Sequence, residues 1–538
     1  MPHSQLLTSL VLAFFLNQTA LAETVVEIHP SDLQQVRQML QANPLTTTTD
    51  RGNIVLMRLD DSQRQLLQQS AINFRVNTDE TLAFNADLAV RGVGTIPGYA
   101  CYRTVEQTYA DLADLAAANP TLASWHDIGD SWEKAQGLGG HDVMALTISA
   151  NSGTLGGKAP LVIIAAMHAR ELVTAETATR FAEHLINNYG SDPDITWILD
   201  HRIIHIVPQL NPDGRLDVEQ GDLWRRKNAD VDWCPTDDFG VDLNRNSSFA
   251  FGGGGSSGFS CDPTFRGPSA ASEPEIAAIE AAMVNWFEDQ RGTSINDPAP
   301  ADTEGVFISL HSYGQLVLFA WEFDDMPAPN KTEMETLARK FGYYNDYQAC
   351  QDCLYSAAGT TPDQAYGEYG VAAYTFELGT SFHQSCNAFE NTIYPDNLEA
   401  LVYAAKAARR PYQEPQGPEA YSVAIEKPLG EAMATLTAVV DDTRFDSNGW
   451  GNEPVQTIAS VVYSIDVAPW MAAGTAMQPV DGTFDNSVEA VTASIDTSAL
   501  AYGDHLVYVA ATDSNGNTGV PTAVFLHVDD VFFLGNFD

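Results

Sequence analysis

The stretch that most limits what this chain can fold into is 158–180, KAPLVIIAAMHARELVTAETATR. Its Leu161–Met167 run is apolar and rich in β-branched residues, which reads as a buried parallel strand, and from Leu172 the composition turns helical. A chain leaving a buried strand for a covering helix does so at the carboxyl edge of the sheet, where open α/β sheets build their sites. His168-Ala-Arg-Glu171 occupies that turn. A His and a Glu three residues apart can aim at one ion there, which makes this a zinc-site hypothesis. A His followed at that spacing by a Glu is common in any long chain, so the pair needs partners elsewhere.

The length of 538 residues exceeds one ordinary core, and about three to four domains are expected from ~150 residues each. Acids outnumber bases 71 to 27, for a formal net charge of -44. Such a surface repels phosphates and anionic lipid, so nucleic-acid and membrane-surface binding are excluded as leading functions. The same charge suits a salty medium, or simply keeps the chain soluble.

Leu6–Leu16 is a short apolar core followed by Ala20-Leu21-Ala22, the pattern of a cleaved export signal over residues 1–22, although the n-region lacks Lys and Arg. No later apolar run is long enough to span a membrane. Secretion is expected. Six cysteines in an exported chain favour disulfides, with fifteen possible connectivities. The Cys350-x-x-Cys353 pair has no second CxxC, which favours a structural bridge over redox chemistry or half a zinc knuckle.

Thr24–His29, Asn53–Leu59 and Ile72–Asn77 read as strands, with helices over 31–40 and 61–69 between them. This small α+β unit, residues 23–98, carries almost no candidate catalytic groups. From 99 to 411 helices alternate with apolar strands, the signature of a mixed or parallel sheet covered on both faces. Strands are expected at Asp142–Ser149, Leu161–Met167, Arg202–Gln209, Gly305–His311 and Ala372–Leu378. Helices are expected at Tyr102–Asn119, Leu172–Tyr189, Ser272–Glu288, with Ser272 and Glu275 as a capping box, and Asn397–Ala408. A proline-rich linker, 412–428, then leads to residues 429–538. Short alternating runs there, Ala434–Val440, Ile458–Asp466, Val488–Asp496, His505–Ala511 and Thr522–Val528, with turns such as Asp513-Ser-Asn-Gly-Asn-Thr-Gly519, predict a β-sandwich.

A catalytic zinc takes three protein ligands and keeps an open position, so a third ligand should end another strand. His311, closing Phe307-Ile-Ser-Leu-His-Ser-Tyr313, is placed that way. Six segments in order then resemble the zinc metallocarboxypeptidases of the pancreatic A and B type: His168-Ala-Arg-Glu171, Asn211-Pro-Asp-Gly214, Leu223-Trp-Arg-Arg226, Gly240-Val-Asp-Leu-Asn-Arg-Asn246, His311-Ser-Tyr313 and Tyr374-Thr-Phe-Glu-Leu378. The resemblance covers roughly 99–411. It implies an α/β fold with a mixed eight-stranded sheet flanked by helices, preceded by a pro-domain and here followed by an all-β sandwich.

The resemblance implies one zinc ion per catalytic domain on His168, Glu171 and His311, with Asp242 hydrogen-bonded to the first histidine. It implies Glu377 as general base and Arg225 as the cation facing the oxyanion. Asn244, Arg245 and Tyr355 would grip the free carboxylate of the substrate, Tyr355 lying twenty-two residues before Glu377. Arg170 would be an outer substrate-binding arginine, and Cys234 would pair with Cys261. A planar guanidinium suits this task, because an internal peptide would leave Arg245 desolvated and unpaired.

Family members that select Lys and Arg carry an Asp fifteen residues before the base; here that position is Pro362, with Asp363 beside it. Glu322, eleven residues after His311, falls where other members with basic preference carry an acid. An acid in the pocket favours a basic side chain, so the lean is to basic or dual specificity. The expected protein is a secreted monomer acting on peptides with a free C-terminus, its pro-domain removed between about Asn85 and Tyr99. A permanent accessory unit is the alternative there. The sandwich would serve attachment or export, so that deletion after about Pro428 would spare hydrolysis. Rivals are a zinc amidohydrolase of cell-wall peptides and a catalytically dead binding protein.

Overall fold

The computed structural model describes residues 98–529 apart from 151–156, 237, 352 and 447–450. Before them it describes only 24–28, 35–36, 48–50, 55–59, 66–70, 72, 74–76 and 96. The export signal, the expected cleavage stretch up to residue 95 and most of the helix expected over 31–40 lie outside these residues.

The chain divides into two compact units, Met1–Gly92 and Val93–Asp538. In the first, β1 (Thr24–Ile28) pairs antiparallel with β3 (Val55–Leu59) and β4 (Phe74–Val76), and β2 (Thr48–Asp50), which the sequence did not announce, adds to β3. The order is β2-β3-β1-β4.

The second unit is built on an eight-stranded mixed sheet. Its strands are β5 (Ala123–Asp130), β6 (Asp142–Ile148), β7 (Ala159–Ile164), β8 (Arg202–Val207), β9 (Val306–His311), β10 (Leu316–Phe319), β11 (Gln348–Cys350) and β12 (Ala372–Glu377). They run in the order β11-β10-β12-β9-β7-β8-β6-β5. Strands β12, β9, β7 and β8 are mutually parallel and covered on both faces, which is why they were the legible ones: every residue of β7, β8 and β9 is buried. Strands β10 and β11 are only four and three residues long, and β5 is half-exposed without a continuous apolar run.

Strand β7 ends three residues earlier than its apolar run. Ala166 adopts a positive φ of 53°, and its N–H is taken by Thr174 Oγ1 at 3.0 Å, so the chain swings out of the sheet ahead of His168. Helix Leu172–Asn188 follows, buried along most of its length. The helix expected from Ser272 runs over Pro274–Trp286 with Glu273 at its N-cap, and no capping box forms. Ser272 Oγ donates instead to Glu273 Oε1 (2.7 Å), and Glu275 Oε1 accepts the Trp132 N–H (2.9 Å).

The linker expected over 412–428 is a structured element. Tyr412 is buried, its hydroxyl donating to Gly370 O at 2.8 Å, and Glu419–Glu426 forms β13, paired with β14 (Met433–Asp441). With β15 (Ile458–Ile465), β16 (Thr475–Ala476), β17 (Gln478–Pro479), β18 (Val488–Asp496), β19 (Gly503–Asp513) and β20 (Thr522–Val528), this makes two four-stranded sheets, β13-β14-β18-β17 and β16-β15-β19-β20. They enclose their own core of Leu436, Val440, Val507 and Leu526 among others.

The sandwich is fastened to the central domain. The buried Lys340 ammonium meets Glu419 at 2.7 Å, Asp194 accepts the Ala523 N–H at 2.8 Å, and the Arg202 guanidinium lies between Trp197 and Trp470, 5.2 and 5.1 Å from their ring centres. A cut at Pro428 would leave β13, which carries the Glu419 partner of Lys340, without its neighbouring strand β14. The simple deletion expected from sequence therefore falls inside a domain.

Candidate active site

Two strand ends and one turn meet at the carboxyl edge of the sheet. His311 closes β9 and is paired in register with Glu377, the last residue of β12. The turn after β7 brings His168 and Glu171 to the same point. Their candidate ligand atoms, and those of His311, all lie within 4.8 Å of one another. His168 Nδ1 is 2.8 Å from Glu171 Oε1 and 3.1 Å from His311 Nδ1, and His311 Nδ1 is 3.2 Å from Glu171 Oε2.

Each histidine is held from behind. Asp242 Oδ1 sits 3.0 Å from His168 Nε2, and Ser309 Oγ 2.9 Å from His311 Nε2. The outer nitrogens being engaged, both Nδ1 lone pairs converge on Glu171, a buried donor set of two imidazoles and one carboxylate that fits a zinc ion with an open position. Burial opposes the charge on Glu171, yet His168 and His311 hold its carboxyl below the usual range. Burial works against Asp242 too. The Arg226 guanidinium, 2.9 Å from Oδ2, outweighs it and keeps that carboxyl well below its ordinary value.

Glu377 is different. Burial pushes its carboxyl up to about 7, with His311 pulling it down and Glu171 pushing the other way. A carboxyl poised there can exchange a proton near neutral pH.

A cavity of about 320 Å³ opens from this point, lined by the three ligand candidates, Glu377, Arg170, Arg226, Asn244, Arg245, Glu322 and Tyr355 among others. Arg245 is fixed by Gly255 O (2.9 Å) and Asn244 O (2.7 Å), and the exposed ring of Tyr355 lies 5.9 Å from its guanidinium carbon. Arg170 rests 4.0 Å over Phe382, with its buried Nε lacking a partner among the described residues.

Two expected residues lie elsewhere. Arg225 is not among the residues lining the cavity: its guanidinium stacks 3.7 Å over Phe239, donates to Phe239 O and Asn228 O, and faces Asp217 at 3.3 Å. The neighbouring Arg226 lines the cavity instead, bridging Asp242 and His168. Only one of the two adjacent arginines faces the ion site, and the motif alone did not say which. The carboxylate behind His168, which needed a cation, was the available signal.

Asp363 is also outside the cavity. It is fully buried at the start of helix Thr361–Tyr369 and accepts the backbone N–H groups of Glu322 and Phe323, both at 2.9 Å. Burial, then the charge of Glu322, pushes its carboxyl well up. It holds the turn that carries Glu322, which does reach the cavity and accepts from Thr375 Oγ1 at 2.6 Å.

The remaining motifs are scaffold. Asn211 caps helix Pro212–Glu219 through the Gly214 N–H (3.0 Å) while its amide donates to Met167 O (3.1 Å) and Lys227 O (3.2 Å), tying the His168 turn to the Arg226 segment. A Cβ at Gly214 would come within 2.7 Å of Asn211, so this clasp requires glycine. Cys234 pairs with Cys261 as the resemblance implied, and Cys101 with Cys386 and Cys350 with Cys353 complete the set.

An ion site at the open ends of a mixed sheet, with a poised carboxylate and arginines around one cavity, is the layout of a metal-dependent hydrolase. The sequence pattern described as zinc carboxypeptidase matches residues 108–402, and the chain belongs to that family. It is thus a metallocarboxypeptidase. It is 27% identical to mouse carboxypeptidase A2 over 413 residues, 69% of this chain and 90% of that protein. It is 29% identical to human carboxypeptidase A1 over 358 residues, 64% and 74% of the two. Among solved structures, that of thrombin-activatable fibrinolysis inhibitor shares the fold, with a TM-score of 0.50 at 20% identity over 72% of this chain and 99% of that one.

Proposed function

We propose that this protein is a secreted zinc carboxypeptidase that releases the last residue of peptides, with a preference for basic side chains. The observation that carries the reading is that Arg245 and Asn244 line the same cavity as the ion site and Glu377. A clamp for a terminal carboxylate next to hydrolytic groups tells a chain end from its middle.

Zinc on His168, Glu171 and His311 would polarise the scissile carbonyl and acidify water. Glu377, lining the cavity beside the ligand set, is placed to take a proton from the attacking water and return it to the departing amine. Arg226, locked by Asp242, offers its positive charge where the carbonyl oxygen becomes an anion. Asn244, Arg245 and Tyr355 hold the substrate carboxylate, and Glu322 draws a cationic side chain into the cavity. The export signal and the cysteine pairs support secretion. The first unit is read as a latency domain removed between about Asn85 and Tyr99; full activity in a product whose intact mass still includes Glu23 would refute that reading.

Matched peptides with free and amidated C-termini, incubated with and without a chelator and analysed by mass, test the central reading. Loss of one terminal residue from free-ended peptides alone, abolished by chelation, is expected. Equal cleavage of the amides would overturn it.

A further inference from the structure

Residues 252–255 are four glycines in a row, the costliest backbone to hold in one conformation and the usual composition of a flexible linker. Here the run has a defined place beside the carboxylate clamp. It lies with Arg245 inside the loop closed by Cys234 and Cys261, and it packs backbone to backbone against the segment that follows Tyr355. Gly254 O accepts the Ala358 N–H at 2.9 Å, and Gly255 O accepts from Arg245 Nε at 2.9 Å. The seam between the two segments has no room for side chains. A Cβ at Gly255, whose φ is 70°, would overlap the Ser356 carbonyl oxygen, and one at Gly253 would stand 2.8 Å from Ala358 Cβ.

We infer that Gly253 and Gly255 are positioning residues of the carboxylate clamp, holding the Tyr355 segment and the Arg245 guanidinium at a fixed separation; the inference rests on the carboxypeptidase reading above. Arg245 and Tyr355 belong to distant parts of the chain, and the glycine run touches both sides. Successive carbonyls of the run serve the two partners, so a displacement of one is passed to the other. Further bonds seat the Tyr355 segment: the Ala357 N–H donates to Glu322 O at 2.7 Å, and the Ser247 N–H to Gly359 O at 3.0 Å. A bidentate grip on a carboxylate depends on the plane of the guanidinium, and the Gly255 and Asn244 carbonyls set that plane. A methyl group in the seam would push the Tyr355 segment outward and turn the guanidinium, loosening the hold on a terminal carboxylate. His168, Glu171, His311 and Glu377, placed by strand ends and the turn after β7, would stay where they are.

The test compares kcat and KM for one free-ended peptide in the processed, zinc-loaded wild type and in Gly253→Ala, Gly255→Ala and Gly258→Ala, with zinc content recorded for each. Gly258 is the control from the same loop, where a Cβ would meet only the end of the flexible Arg266 side chain, 3.2 Å from Nη2. Gly253→Ala should raise KM about fivefold and Gly255→Ala about tenfold or more, with kcat within about threefold and zinc retained, the pattern of lost binding rather than lost chemistry. Gly258→Ala should alter neither constant. Ala358→Gly removes the methyl group that the added Cβ at position 253 meets, so the double variant Gly253→Ala/Ala358→Gly should return KM to within about twofold of the wild type. That pair decides the question if Gly255→Ala does not fold. An unchanged KM in Gly253→Ala, a raised KM that Ala358→Gly fails to restore, or an equal rise in Gly258→Ala would overturn the inference. Absence of terminal-residue release by the wild type would instead sink the carboxypeptidase reading itself.

Discussion

The ion site and the side-chain pocket share one cavity but are built differently. His311 and Glu377 are register partners at the ends of two parallel strands, and His168 and Glu171 sit on the turn between a buried strand and a buried helix. The pocket wall comes from loops: Glu322 on the turn after β10, Gln351 and Tyr355 on the segment after β11. Groups set by a sheet have little freedom to move, whereas loop groups depend on individual hydrogen bonds such as those from Asp363. The chemistry should thus be indifferent to the terminal side chain, and selectivity should be separable from it.

The strongest attempt to break that division acts on the sheet-borne groups. Chelation, reversed by zinc, and Glu377→Gln should lower kcat about a thousandfold, the second without loss of zinc, and equally for Arg, Lys and Phe peptides. A loss confined to one substrate would show that the two regions are not independent. Next comes the pair of arginines. Arg226→Ala should lower kcat on all substrates by about a hundredfold, while Arg225→Ala should act mainly on thermal stability. The reverse pattern would return the oxyanion role to Arg225.

Smaller effects belong to the loops. Asp363→Asn places an amide N–H group against the N–H groups of Glu322 and Phe323, and should cost about 1–3 kcal/mol of stability. The Arg-to-Phe ratio of kcat/KM should fall severalfold while kcat on Phe peptides changes less. The smallest effect lies behind the Arg226 segment, where Asn228 Nδ2 donates to Glu273 at 2.7 Å and Glu275 at 3.3 Å. Burial pushes Glu273 up to about 7 and Glu275 up to about 8. A carboxyl that holds its proton more tightly when folded supports the fold below its unfolded value, 4.5, and loses that support as pH rises through the folded value. The melting temperature should therefore decline between about pH 4.5 and 8. Glu275→Gln should flatten the decline, and an unchanged slope would place the proton elsewhere.

The same contrast explains what the sequence disclosed. Strands β7, β8, β9 and β12 are mostly apolar because both faces are covered, and the His168, Glu171 and His311 positions follow from strand ends, whereas Glu377 came from the family resemblance. Arg225 was chosen over Arg226 because facing direction in an irregular segment depends on contacts with Phe239 and Asp242 that come from a distant part of the chain. Asp363 looked like a pocket acid because it neighbours the position that carries one in related enzymes; two backbone N–H groups claim it instead. The linker was misread because prolines were taken as breaks, while Glu419 and Tyr412 pack into neighbouring domains.

The Cys101–Cys386 bridge joins residues 285 apart, tying the entrance of the enzyme domain to the segment just beyond Glu377. Everything the reaction requires falls within that covalent ring. A protease that nicked a surface loop between the two cysteines would open the ring without releasing a fragment, and the severed ends would stay close enough to keep the assembled centre. That is durability of a kind that compact packing does not provide.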